Sequence, residues 1–261
     1  VDLELTGRRA LVTGASRGIG LATARILAAE GADVALVARG ADALAEAVAA
    51  VTAHAGPGRT VVGLPADTGD DASVAALAEE AVRALGGVDI LVNAAATPST
   101  GSFPEDALED EFNVKVRGYL RTARAFAPGM AERGWGRIIN VSGLAARQTG
   151  SVVGSVRNVA VAALSKNLAD ELGPQGVNVV VVHPALTRTE GTPRTLAAMA
   201  THRGVGVEDV ERAAAEGISI GRLVTAEEVA SVIAFLASPK SVALNGDPVV
   251  ASGGVRGSIF Y

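Results

Sequence analysis

The chain has 261 residues, a formal net charge of −5, 49% apolar, 20% charged and 3% aromatic side chains, and no cysteine. That length supports one large α/β domain with a sizeable aliphatic core, and the missing thiols exclude disulfides, thiolate catalysis and cysteine-ligated metals. An acidic balance without a long basic run argues against nucleic acid as a partner, and no apolar run reaches membrane length, so a cytoplasmic protein without a signal peptide at Val1-Asp2-Leu3-Glu4 is expected.

Residues 8–13 read as a strand, 14–20 as a glycine-rich turn, and 19–30 as a helix ended by Gly31. A strand, tight loop and helix N-terminus form a natural anion site. The glycines at 14, 18 and 20 follow a GxxxGxG spacing rather than the usual GxGxxG; a tight structural turn is the plainer alternative. A strand over 33–38, a helix over 42–55, a strand over 60–64, a helix over 70–85 closed by Gly86-Gly87 and a strand over 89–93 follow. Strand and helix thus alternate, the rhythm of a doubly wound parallel sheet. Residues 105–133 predict a long helix bent at Pro128-Gly129, 136–142 a strand, 155–172 a helix stopped by Gly173-Pro174, and 177–182 a very apolar strand. Residues 187–217 break the rhythm, with a short helix over 207–216; they read as a flap over the sheet's carboxyl edge or as a surface excursion. A helix over 225–237, capped by Thr225 with Glu228 three residues on, and a short strand at Val249-Val250 complete the chain. The expected organisation is a single α/β domain over 1–261 with a substrate-side flap at 190–217.

Ligands of an open parallel sheet bind beyond the carboxyl ends of its strands. The residues placed there are Gly14, Ser16, Arg17, Gly18, Ile19, Gly20, Arg39, Asp67, Thr68, Asn93, Ser142, Pro184 and Thr189. Arg39 stands where an acidic residue would bond an adenosine ribose; with Arg17 it suits a 2′-phosphate, favouring NADP(H) over NAD(H). A plain surface charge is the alternative for Arg39, and a loop-capping role is the alternative to adenine binding for Asp67. Asn113 sits mid-helix, a poor place for asparagine on propensity alone. His183, ending an apolar strand, reads first as structural.

The whole chain resembles the classical short-chain dehydrogenase/reductase family. Thr13-Gly14-Ala15-Ser16-Arg17-Gly18-Ile19-Gly20 is similar to its cofactor loop, Asn93-Ala94-Ala95-Ala96 to its segment after strand four, and Pro184-Ala185-Leu186-Thr187-Arg188-Thr189 to its segment after strand six. Ser252-Gly253-Gly254 is similar to part of its C-terminal third. The resemblance implies an adenine contact at Asp67 and catalytic roles for Asn113, which would hold an active-site water, and for Ser142 or its neighbour Gly143. It places the family's catalytic tyrosine at Gly154 and its lysine at Asn158, which retains only the ability to bond a ribose hydroxyl. Ala96 and Ala185 stand at family glycines near the nicotinamide half. The resemblance therefore implies a Rossmann-like seven-stranded sheet and an NADP(H)-dependent oxidoreductase acting on a carbonyl or alcohol with a non-standard proton donor. The alternatives are an inactive NADP(H)-binding or regulatory homologue, or a non-redox enzyme using the same cleft. A small-molecule ligand and a homo-oligomer, tetramer or dimer, are also implied, with the 105–130 and 155–172 helices and the apolar tail 257–261 at subunit contacts.

Overall fold

Short aliphatic strands enclosed on both faces set the architecture. The computed structural model describes residues 1–96 and 107–257; the expected contacts of 258–261 and the start of the long helix at 105–106 lie outside them. The elements are β1 (Arg9–Thr13), α1 (Gly18–Ala29), β2 (Asp33–Ala38), α2 (Ala41–Thr52), β3 (Val61–Pro65), α3 (Asp71–Leu85), β4 (Ile90–Asn93) and α4 (Ala107–Glu111). A π-helical turn (Phe112–Arg117) then leads into α5 (Gly118–Glu132), followed by β5 (Gly136–Val141), α6 (Val152–Leu172), β6 (Val177–Pro184) and β7 (Thr187–Arg188). The remainder comprises α7 (Thr192–Arg203), α8 (Val207–Glu216), β8 (Val224–Thr225), α9 (Ala226–Ala237) and β9 (Pro248–Ala251).

The seven-stranded sheet has the order β3-β2-β1-β4-β5-β6-β9, with every pairing parallel. Strand order reverses between β1 and β4, where Thr13 lies opposite both Val37 and Asn93. Chains leaving these two strands diverge to opposite faces and open a crevice above the carboxyl edge. One face packs Leu27, Val51 and Ile233 on the sheet; the other packs Leu77, Phe126 and Met130. The fold is a single-domain, Rossmann-like α/β sheet flanked by helices.

Local chemistry fixes several boundaries. Asp70 caps α3 by accepting from the Ser73 N–H, and Gly86 ends it in the left-handed conformation. Thr225 and Glu228 form a reciprocal capping box on α9. The expected helix over 105–133 differs in one respect: α5 runs through Pro128, and the distortion instead lies at 112–117. The Asn113 carbonyl accepts the Gly118 N–H five residues on, the π-type bond of this turn, and also Arg121 Nη1 at 3.2 Å. Helix α6 begins at Val152, earlier than expected, because Ser151 accepts from the Gly154 N–H. The 187–217 segment contains two helices rather than one, α7 entered through Pro193 in its first turn.

At the opposite end of the sheet, Asp89 receives Arg9 Nε at 2.7 Å, Arg9 Nη2 at 2.6 Å and Arg133 Nε at 3.1 Å. Burial pushes the Asp89 carboxyl up, but the hydrogen bonds and charge of Arg9, aided by Arg133, outweigh it and leave the pKa lowered. A depressed carboxyl stabilises the fold above its unfolded pKa, and that contribution disappears as pH falls through its folded value. Asp89→Asn is expected to lose about 3 kcal/mol at neutral pH, because two partly buried guanidinium groups lose their counter-charge. Urea unfolding should show the gap from wild type narrowing below about pH 4.

Candidate active site

The first half of the crevice is shaped by backbone proximity. Gly14 has φ +66°, and a Cβ there would stand 2.8 Å from the Ala94 carbonyl oxygen and the Ala95 backbone. A Cβ on Gly20 would lie 2.3 Å from the Gly14 carbonyl oxygen. Side chains at either position would prevent α1 from closing on the loop. Thr13 Oγ1 accepts from the Ala94 and Ala95 N–H groups at 3.1 and 3.2 Å, joining the β1 and β4 exits.

Arg17 is the extended N-cap of α1 and provides no side-chain cap, so the helix presents free N–H groups. The Gly18 N–H donates to Glu190 Oε2 at 3.1 Å. A carboxylate thus occupies a helix N-terminus, where the backbone dipoles favour an anion. Ser16 and Ile19 are half-buried beside this loop, and Thr189 lies close enough that its methyl would be 3.6 Å from a Cβ on Gly18. Arg17 and Arg39 are exposed, and neither forms an ion pair with a described residue. Asp67 is half-buried and uses Oδ1 to accept from the Gly69 N–H at 2.8 Å; Thr68 is buried against Gly118. Pro184 is buried at the end of β6.

Asn93 is enclosed within the sheet. Its Nδ2 donates to Asn140 Oδ1 at 3.0 Å, and its Oδ1 accepts from Thr122 Oγ1 at 2.8 Å. Asn140 continues the chain to Ser165. The Asn93 side chain is therefore engaged in holding β4 to β5 and α5.

The second half of the crevice contains groups that patterning did not single out. Lys115, in the π-turn, is 5% exposed and donates from Nζ to the Ser142 carbonyl at 2.8 Å. Ser142 Oγ donates toward the Asn158 backbone carbonyl and Oδ1, at 3.1 and 3.2 Å. The Asn158 amide lies 3.0 Å from where a Cβ on Gly143 would project. Arg157 and Glu111 form a buried ion pair between α6 and α4. Tyr119 OH donates to the Val141 carbonyl at 2.9 Å. His183 is 1% exposed and its Nδ1 has no hydrogen-bond partner among the described residues. Burial chiefly, then the charges of Arg147 and Lys115, push its pKa down to about 4 against a hydrogen bond with the Gly143 backbone, so it is a neutral imidazole at pH 7.

Asn113 does not join this group. Its Nδ2 donates to the Gly69 carbonyl at 3.0 Å and its Oδ1 accepts from Arg121 Nη1 at 3.0 Å. Residues two apart on a helix project to nearly opposite sides, so Asn113 faces the β3–α3 connection while Lys115 faces β5 and α6. Gly154 has Ser151 Oγ within 2.8 Å of its Cβ position. The sequence signal for Lys115 was its i,i+4 spacing from Glu111, a pattern more typical of an exposed pair.

Burial first, then the Arg157 charge, pushes the Lys115 ammonium down to about 7, with Glu111 opposing. Between that value and the ordinary lysine range the unfolded chain binds more protons than the folded one, so this group makes stability rise with pH. Urea unfolding should show a rise of about 1.4 kcal/mol per pH unit above pH 7, absent from Lys115→Met. That variant should be more stable than wild type below pH 7, with the difference closing as pH approaches 10.

The chain matches the short chain dehydrogenase family model over residues 8–200. It is 34% identical to the short-chain reductase protein NovJ of Streptomyces niveus, covering 94% of this chain and 92% of that protein. Its structure resembles L-sorbose reductase from Gluconobacter frateurii, solved with NADPH and L-sorbose, with a TM-score of 0.91 at 30% identity over 99% of this chain and 100% of that one. It also resembles an NAD+-bound xylitol dehydrogenase, with a TM-score of 0.90 at 25% identity over 96% and 100% of the two chains. Among the described residues no helix is long and apolar enough to cross a membrane. The sheet order, the glycine loop at its switch point and these matches together make the chain a member of the short-chain dehydrogenase/reductase family.

Proposed function

We propose that the protein is an NADP(H)-dependent oxidoreductase acting on the carbonyl or alcohol of a small molecule, with a rebuilt proton-transfer site. The observation that carries this reading is the α1 N-terminus, whose Gly18 N–H receives a carboxylate at 3.1 Å beside two exposed arginines. This cradle fits a pyrophosphate: Arg17 gives no side-chain cap, the Gly18 N–H already holds an anion in Glu190, and Gly14 and Gly20 let the loop close tightly against α1 and the β4 exit. Arg17 and Arg39 suit a 2′-phosphate; Asp67 uses Oδ1 for the Gly69 N–H and leaves Oδ2 for an adenine amino group, with no hydrogen bond to it among the described residues. When bound, the dinucleotide supplies the hydride. Asn158, Pro184 and Thr189 line its path toward the second half of the crevice.

At the far end the family resemblance puts Gly143, Gly154 and Asn158 where a serine, a tyrosine and a lysine are expected. Glycine has no proton to transfer, and losing a positioned acid–base group typically costs 10²–10⁴-fold in rate. The second reading, a dinucleotide-binding protein without turnover, is favoured by the same three positions. The 190–217 segment, holding α7 and α8, is the candidate substrate-side flap.

A cytoplasmic homo-oligomer is also proposed. Val152, Val156 and Val159 are exposed on one stripe of α6, and α5 and α6 form an apolar groove lined by Ala127, Pro128, Ala131, Leu168 and Leu172. Such surfaces suit burial against a second copy.

Fluorescence titration tests the cofactor reading. NADPH should bind more tightly than NADH, and Arg39→Ala should weaken NADPH binding by about tenfold while leaving NADH nearly unchanged. Glu190→Gln should tighten binding of both, because it removes an anion from the pyrophosphate position. Failure of both dinucleotides to bind would overturn the proposal; tight binding without turnover on a carbonyl panel would favour the second reading.

A further inference from the structure

We propose that Lys115 is the proton donor of this cleft, delivering from the π-turn the proton that α6 has no side chain to supply. The inference rests on the oxidoreductase reading and names the group that makes it chemically complete. Lys115 Nζ lies 2.8 Å from the carbonyl of Ser142, at the carboxyl end of β5. Ser142 is in turn bonded to Asn158, so the amine enters the cluster containing the three positions that lack reactive side chains.

The identity of the residue is informative. The chain's lysines are Lys115, Lys166 and Lys240; its other basic side chains, apart from histidine, are arginines. Lys166 and Lys240 are surface groups paired with Asp170 and Glu4. Lys115 alone of the three is buried. An arginine at this place would remain charged at any pH compatible with folding, whereas an amine can release and regain a proton. The charged and titratable groups around it are Glu111 from α4, Arg157 from α6, Tyr119 from α5, Arg147 from the 3-10 turn after β5, and His183 from β6. Glu111 is engaged by Arg157, Tyr119 is pushed well above its ordinary range by burial, and His183 is neutral. Lysine is therefore the group in this cluster suited to proton exchange near neutrality.

In the reductive direction, the substrate carbonyl carbon gains hydride and its π pair moves onto oxygen. The Nζ–H bond of Lys115 breaks toward that oxygen, forming the alcohol O–H and leaving a neutral amine. Water then returns a proton to Nζ. In the oxidative direction the neutral amine accepts the hydroxyl proton.

The test has two independent readouts. In the protein without dinucleotide, NMR of 13C-lysine-labelled material should resolve three Cε signals. The one missing from Lys115→Met should titrate near pH 7, while the other two stay protonated past pH 10. With NADPH bound and a reducible carbonyl, Lys115→Met should lower kcat/KM by at least 100-fold and abolish the loss of activity above pH 7. NADPH affinity should stay within threefold. Lys115→Arg, which keeps a positive charge but cannot cycle its proton, should be equally impaired; full rescue by arginine would assign only an electrostatic role and overturn the proposal. Turnover that survives Lys115→Met, or a Lys115 signal that stays protonated past pH 10, would overturn it while leaving the oxidoreductase reading intact. Tight NADPH binding by a wild-type protein that reduces no carbonyl would overturn both.

Discussion

The buried contact between Glu111 and Arg157 is the interaction on which the second half of the cleft depends. It spans from the short helix before the π-turn to the second turn of α6, and Lys115 lies within its field. Two basic side chains and one carboxylate share a space largely withdrawn from water, where an unbalanced charge is costly. Arginine does not relieve that imbalance by losing a proton, and lysine does. The permanent charge therefore holds the elements together, and the adjustable one is left at the carboxyl end of β5. Removing Glu111 would strand both cations, whereas neutralising Lys115 relieves the imbalance; the two partners of that carboxylate are energetically unlike.

A second arginine clamps the same segment from its other side. Arg121 reaches Asp71 on α3, the Thr68 carbonyl after β3, and both the carbonyl and Oδ1 of Asn113. The π-turn is thus fixed between the β3–α3 connection and α6. A widened turn shifts the phase of everything before it relative to α5, since each residue of a regular helix advances by ~100°. Tyr119, Thr122, Phe126 and Met130 keep α5 seated on the sheet. The extra residue lets Glu111 and Lys115 turn inward ahead of that seated face. Asn113 occupies the outward side, where its amide stabilises the connection after Thr68.

Much of the fold was legible because its signals are local. Alternating apolar strands and helices, the left-handed Gly86, and Thr225 with Glu228 each specify their own element. The glycine loop was equally legible, since its requirement is backbone proximity that no side chain satisfies. The reactive end was not. Glu111 and Lys115 at i,i+4 carry the pattern of a solvated surface pair, and nothing local reveals that Arg157, 46 residues after Glu111, closes over them. The bend was expected at Pro128, yet a proline can be accommodated when neighbouring packing holds the helix, whereas the π-turn contains no proline to announce it. Helix α7 was missed because its Thr- and Ala-rich sequence has little apolar periodicity, its burial being limited to Thr192, Leu196 and Ala200.

Both ends of the crevice carry positive charge, for different reasons. At α1 the partial positive charge belongs to backbone dipoles and cannot be titrated away, so it needs an anion whether or not a ligand is bound; Glu190 meets that need within the chain. The turn bearing Glu190 is tied to α7, with the Thr189 N–H donating to Thr192 Oγ1 and Thr192 Oγ1 donating to the Thr187 carbonyl. An anion that takes the Gly18 N–H must therefore displace a carboxylate belonging to the start of the 190–217 segment, by rotating its side chain or moving the turn. At β5 the positive charge belongs to side chains, one of them able to become neutral. The crevice thus joins a fixed anion site, where an entering anion must displace a carboxylate, to a buried cation whose charge can change with pH.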